Sequence, residues 1–233
     1  MPLITKQHQQ RCVAKQTALD EGKSEAQAQS VAFVKTKATE HDRQVLLSAL
    51  DQDLDRLGAL ESVAEKIKLK RDELLPKYLP HVDAYLESGA SYPNAMLVRC
   101  AIWCLDVEDL DNTIRLVDEC IKQHQDSPAN FSRDLSGFFI EQVAAWADGQ
   151  LQKGDSGSPY IDQVCLRVSD GAWPTTNIIG KGKAFKVAGQ LAEKNGDKKE
   201  ALEYYRQAQE ANDKAGCKGR IKELAKTLGD NAQ

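Results

Sequence analysis

The stretch KAFKVAGQLAEKNGDKKEALEYYRQAQEAN, residues 183–212, decides how this chain folds. Its apolar and small side chains recur at helical spacing on both sides of Gly196-Asp197: Phe185 and Gly189 precede the pair, and Ala201, Tyr205 and Ala208 follow it. A three-to-four-residue period on either side of a glycine predicts two helices joined by a tight turn. Small residues at facing positions let the two backbones approach, and the aromatic fills the gap between them. Outward from this hairpin, helical spacing returns at 81–89, 93–105, 109–124, 132–152, 160–168, 182–194, 198–213 and 217–228. Turn signals separate these runs at Tyr92-Pro93, Gln125 to Pro128, Lys153 to Pro159 and Trp173-Pro174 to Gly182. With no alternating Val/Ile/Thr run, short helices on short loops predict an all-α body.

The order within 183–212 is similar to that of a tetratricopeptide helix pair. A weaker copy reads Leu97, Ala101, Glu108-Asp109, Thr113, Val117 and Cys120. From Asp109 to Asp197 is 88 residues, not the roughly 34 of a tandem array, so two hairpins of similar build are expected within one helical body.

The N-terminal part reads differently. From about Thr5 to Leu69 the chain is rich in Ala, Gln, Lys, Glu and Leu, with no proline and only Gly22 and Gly58 as interruptions, which favours helix almost throughout. Leu47, Leu50, Leu54, Leu57, Leu60, Ala64 and Ile67 form a coiled-coil-like seam with one stutter. Such a seam needs a partner, either a second copy of the chain or the body of the same one, and a long polar helix with a narrow stripe is more often an oligomerisation element. Residues 1–40 have sparse apolar groups and are expected to be mobile or to fold on a partner. The motif Glu73-Leu-Leu-Pro-Lys-Tyr-Leu-Pro80 is expected to close the long helix, because each proline removes a donor and biases its predecessor away from helix. Three regions follow: 1–72 for DNA binding and oligomerisation, an acidic helical domain over 73–180, and tetratricopeptide-like helices over 181–233.

Charge divides along the same lines. In 233 residues, 31 Lys+Arg stand against 35 Asp+Glu, a net charge of -4, yet residues 79–180 hold 6 basic and 15 acidic side chains while 181–233 hold 12 and 8. Basic flanks on an acidic body can meet phosphate while the body stays away from it. Candidate DNA contacts are Lys6, Arg11, Lys15, Lys35, Lys37 and Arg43, then Lys66, Lys68, Lys70 and Arg71 after the seam. One copy would bind poorly, whereas several copies sharing a face would bind duplex DNA with steep salt dependence. Few aromatics lie near these residues, which disfavours stacking on single strands.

Catalytic signatures are not legible. Asn177 to Lys183 lacks the first glycine of a phosphate-binding loop, with Thr175 in its place; Gly180-Lys-Gly-Lys183 reads instead as a flexible turn opening a helix. Asp20-Glu21-Gly22-Lys23 sits on a polar helix with no strand to hold a nuclease site, and His8, His41, His81 and His124 are scattered. Asp106, Glu108, Asp109 and Asp111 cluster between two helices, where capping and helix-dipole effects explain acids. The six cysteines, Cys12, Cys100, Cys104, Cys120, Cys165 and Cys217, form no metal-binding spacing and read as core thiols in a reducing compartment. No cofactor or metal is expected. No run of about 18 apolar residues exists and MPLITKQHQQ is too polar for a secretory signal, so a cytosolic protein without a membrane partner is expected.

The stretch Arg71 to Gly89 with its double Leu-Pro block, the helix Met96 to Asp106 carrying Trp103-Cys-Leu-Asp106, and Asp109 to Ile121 resemble the small-subunit terminase family of temperate contractile-tailed phages. Gly196-Asp197 with Ala201-Leu202, and Ala215-Gly-Cys-Lys218 with the basic helix after it, match as well. The resemblance covers about 70–230 well and 1–70 loosely. It implies a packaging protein in the cytoplasm of the infected bacterial host. Such a protein recognises double-stranded viral DNA, assembles as a ring-like homo-oligomer, and delivers DNA to a large subunit with ATPase and nuclease functions. Members are often described as endonuclease subunits, so a metal-dependent endonuclease acting at cohesive ends is the alternative expectation. A helical-repeat scaffold for protein partners is a third.

Overall fold

The computed structural model describes residues 41–128 and 134–229, which are helical and contain no strand. The all-α expectation holds. The chain divides into two compact units between Ala59 and Leu60. In the first, residues 41–59 form helix α1, with Leu50 buried and Leu47, Leu54 and Leu57 half-buried.

The second unit begins with α2 (Val63–Leu69), which a wide π turn (Lys70–Leu74) joins to α3 (Leu75–Glu87). It continues through α4 (Ala95–Asp106), α5 (Leu110–Lys122), α6 (Leu135–Lys153), α7 (Tyr160–Ser169), α8 (Ile178–Lys194), α9 (Lys198–Ala211) and α10 (Lys218–Leu228). Sequential neighbours pack pairwise, and α8 lies against α6, α7 and α9 together. The core holds Tyr78, Leu97, Trp103, Leu116, Phe139, Ile140, Ile161 and Leu191, all at most 2 % exposed.

Two expectations about the N-terminal half are corrected. The seam does not ride one continuous helix: residues 60–62 are non-helical, and Ser62 begins α2 by accepting a hydrogen bond from the Glu65 N–H at 3.4 Å. Ser62-Val-Ala-Glu65 is a capping-box sequence, and it coincides with the stutter. The double Leu-Pro block does not close a helix either. The Leu75 N–H donates to the Lys70 carbonyl, five residues back, so the widened turn makes room for the Pro76 ring at the start of α3. Pro80 lies inside α3, which continues to Glu87. Burial of Leu75 and Val82, roughly 1.5–3 kcal/mol each, is enough to offset the ~3 kcal/mol cost of an interior proline. Tyr78 adds its ring against Trp103 of α4, centroids 5.9 Å apart.

The two hairpins share one turn, bond for bond. In α4–α5 the Glu108 N–H donates to Leu105, Asp109 to the Cys104 carbonyl at 2.8 Å, and Thr113 to Asp109. In α8–α9 the Gly196 N–H donates to Glu193, Asp197 to Ala192 at 2.9 Å, and Ala201 to Asp197. Glu108 and Gly196 are both left-handed, at φ 63° and 87°. The aspartate that follows each caps the next helix through its carboxylate, with φ of −85° in both. This is the Schellman stop followed at once by an N-cap. In α8–α9 Gly189 lies under the Tyr205 ring; the residues 88 positions earlier, in α4–α5, are Ala101 and Val117, and all four are buried.

Gly180-Lys-Gly-Lys183 is not a flexible turn but the first turns of α8, capped by Asn177 through a 2.9 Å bond from the Gly180 N–H. Gly182 is there for packing, since a Cβ on it would lie 2.9 Å from that of Asn212.

Candidate nucleic-acid interface

Of the ten basic residues expected to meet DNA, Lys6, Arg11, Lys15, Lys35 and Lys37 lie outside the described residues. Arg43 is half-buried on α1. On α2, Lys68 is exposed and Lys66 half-buried, both in the turn that runs on into the π turn. The next two cations are engaged within the protein. The Lys70 ammonium donates to Asp106 Oδ2 at 2.6 Å with its side chain only 13 % exposed, and Arg71 donates to the Val107 carbonyl at 3.4 Å. Both contacts tie the π turn to the end of α4. The structure therefore leaves Lys68 and Arg71 exposed and Lys66 half-exposed, while Lys70 serves the fold.

The seam residues fall in both units. Leu47, Leu50, Leu54 and Leu57 belong to α1; Leu60 precedes α2 and Ile67 lies on it, both half-buried.

The acidic cluster between α4 and α5 has a structural account. Asp106 holds Lys70, and Asp109 caps α5 by accepting from the Asn112 N–H at 3.2 Å and side-chain amide at 2.7 Å. Among the described residues no three His, Cys, Asp or Glu side chains gather as a metal site. Cys100, Cys104, Cys120, Cys165 and Cys217 are buried free thiols. Burial pushes all five upward, Cys104 and Cys120 to about 12, so they stay protonated and unreactive at neutral pH.

Sequence reading missed the polar network that fixes the segment between α7 and α8. Asp118 of α5 accepts both Arg167 Nε at 2.7 Å and Nη2 at 2.6 Å, and also the Trp173 indole N–H at 2.7 Å. A second knot forms at the start of α6. Asp134 accepts from the Gly137 N–H at 2.6 Å and the Thr175 hydroxyl at 2.9 Å, while the Asn177 amide donates to the Gly137 carbonyl at 3.2 Å. The legible signals were Asp134 three residues before Gly137, a cap pattern, and the Trp173-Pro174 break. Nothing local pairs Asp118 with residues 49 and 55 positions away.

Burial pushes the Asp134 carboxyl up, but the hydrogen bonds from Thr175 and Gly137 outweigh it and hold the group below its ordinary 3.8. A carboxyl lowered in the folded state stabilises above its unfolded pKa, and that contribution disappears as pH falls through the folded value. Asp134→Ala is expected to cost about 1 kcal/mol at pH 7 through loss of the cap. In paired thermal melts the gap from wild type should narrow below pH 3.8; a gap that is constant from pH 7 to pH 2.5 would refute this account.

The family described as phage small terminase subunit matches residues 47–175, from the middle of α1 through α7 to the Thr175 contact with Asp134. The chain belongs to the phage small terminase subunit family. Two proteins similar to this family member are the "Probable terminase, endonuclease subunit" of Haemophilus phage HP1, 35% identical over 151 residues, and the "Terminase, endonuclease subunit" of Escherichia phage P2, 27% identical over 191 residues. The first alignment covers 65% of this chain and 53% of the HP1 protein; the second covers 82% and 75%. The chain thus spans about half the length of the HP1 relative. No solved structure matches it. No helix among the described residues is long and apolar enough to cross a membrane.

Proposed function

We propose that this small terminase subunit recognises double-stranded viral DNA and delivers it to a large terminase subunit for genome packaging, in the cytoplasm of the infected host. The observation that carries the reading is the family match over 47–175, which includes the seam and the basic cluster behind it. In this reading residues 1–72 supply DNA contact and self-association, the acidic domain 73–180 forms the body, and the tetratricopeptide-like helices of 181–233 meet sister copies or the large subunit. Leu47, Leu54, Leu57, Leu60 and Ile67 hold copies together as a ring-like homo-oligomer, with Leu50 packed within its own copy, and this gathers the basic residues onto one face. Gathering is what makes binding strong: each phosphate neutralised adds about 0.9 to the slope of log affinity against log salt.

Light scattering with and without a cohesive-end fragment tests the assembly, with a mass well above twice the 25.8 kDa chain expected in both lanes. Lys66→Gln/Lys68→Gln removes two outward cations per copy. Its salt slope is expected to be shallower by about 1.8 for each copy that meets DNA, with an affinity loss on the order of 10-fold per copy at low salt. A non-binding monomer would sink the DNA reading and leave the protein-interaction scaffold. The printed names of the two relatives favour a second reading, an endonuclease subunit. A parallel lane with Mg²⁺ separates the two, since nicking by purified protein that is lost on mutating acids would assign the cut to this chain.

A further inference from the structure

Helix α10 carries a second basic surface that neither the seam nor the N-terminal cluster accounts for. Lys218, Lys222 and Lys226 stand four residues apart and all three are exposed. At about 1.5 Å rise per residue, successive lysines are about 6 Å apart along one flank of the helix. Leu224 lies on the far side from these lysines and is buried with Ala225, and α9 is the neighbour.

Three cations of α8 are engaged within the protein. Lys183 pairs with Glu141 at 3.3 Å, Lys186 donates to the Ala215 carbonyl at 3.0 Å, and Lys194 to that of Gly154 at 2.6 Å. Among the described residues no ion pair or hydrogen bond joins the side chain of Lys218, Lys222 or Lys226. The one acid in residues 214–229, Glu223, is taken by Arg220, which also holds Glu193 through its Nε at 2.8 Å. Internal pairing therefore removes the acid that would otherwise neutralise this flank.

The flank is also held in place. Gln209 donates to the Asp213 carbonyl at 2.6 Å and accepts from the Cys217 N–H at 3.2 Å, and Lys186 binds the same α9–α10 connection. A cationic row on a fixed helix loses little entropy when it meets a ligand. Residues 214–229 contain no aromatic side chain, so the surface offers charge without a stacking platform. That chemistry suits the phosphate backbone of a duplex.

We propose that the Lys218–Lys222–Lys226 flank of α10 is a sequence-independent contact for the backbone of duplex DNA, separate from the N-terminal basic cluster. It rests on the reading of the chain as a DNA-recognising subunit. Each copy in the oligomer adds three phosphate contacts to those at its other end, which gives a grip on DNA that does not depend on the packaging site.

The test uses the full chain and a fluorescent duplex of arbitrary sequence, with affinity measured from 50 to 200 mM NaCl. Lys218→Gln/Lys222→Gln/Lys226→Gln is expected to flatten the log–log slope by about 2.7 for each copy that meets the duplex, a roughly 40-fold salt effect per copy across that range. Helical circular dichroism should be unchanged, and the triple Lys→Arg variant should keep the wild-type slope. An unchanged slope in the Gln variant, with wild type binding and Lys66→Gln/Lys68→Gln weakened, overturns this proposal alone and leaves the flank to an acidic protein surface. Wild type that fails to bind at 50 mM salt overturns the proposal and the DNA reading together.

Discussion

Gly189→Val is expected to destabilise the protein by about 2–3 kcal/mol, through overpacking at the closest approach of α8 and α9. A Cβ at this position lies 3.0 Å from two ring carbons of Tyr205. The ring cannot retreat. It is 4 % exposed, and its hydroxyl donates to Glu193 Oε2 at 3.0 Å, which Arg220 grips from α10. In a chain of this size the loss corresponds to a melting shift of roughly 4–12 °C. Tyr205→Val alone should cost about 3 kcal/mol by leaving a cavity. Gly189→Ala/Tyr205→Val copies the Ala101/Val117 pair of the first hairpin and should cost at least about 1 kcal/mol less than its two single variants summed. Denaturant unfolding of the four proteins measures this directly. Strict additivity would mean that the two hairpins do not share a packing scheme.

Asp118→Ala carries a comparable expected loss, about 3 kcal/mol. Trp173 is 1 % exposed, and its indole N–H would be left without its acceptor at a cost of roughly 1–3 kcal/mol. Arg167, 21 % exposed, would lose both of its bonds to the carboxylate. Hydrogen bonds to a charged group contribute more than neutral ones, although Asp118, at 38 % exposed, is partly screened by water. Asp118→Asn keeps one acceptor and should lose about half as much. The effect belongs to the tertiary structure, because α5, α7 and the segment leading into α8 all meet at this one carboxylate. Asp118→Ala within about 0.5 kcal/mol of wild type would show that the network adds nothing to the fold.

The helices were legible because their apolar residues repeat at helical spacing and their ends carry strong punctuation. Gly196-Asp197, Asp109 and Gly154 all act as the local rules require. The proline block misled for a physical reason. Local preference opposes helix at Pro76 and Pro80, but a π turn and the burial of Tyr78 and Val82 overrule it. Gly182 misled in the same way, since a glycine that suits a flexible turn equally suits a helix packed close against another.

The candidate interface was legible only as a charge list. Counting could not tell Lys68, which faces water, from Lys70, which is held by Asp106, since that pairing spans 36 residues. The lysine row of α10 was equally hidden, because its distinction lies in what Arg220 does to Glu223 and Glu193.

By itself the sequence determined the all-α class, the two hairpins 88 residues apart and the buried state of the described thiols, all of which follow from periods and turns shorter than about ten residues. Only the tertiary structure decided which cations stay free, where the prolines are absorbed and how Asp118 joins three segments. Those outcomes depend on contacts between residues far apart in the chain, which no local period encodes.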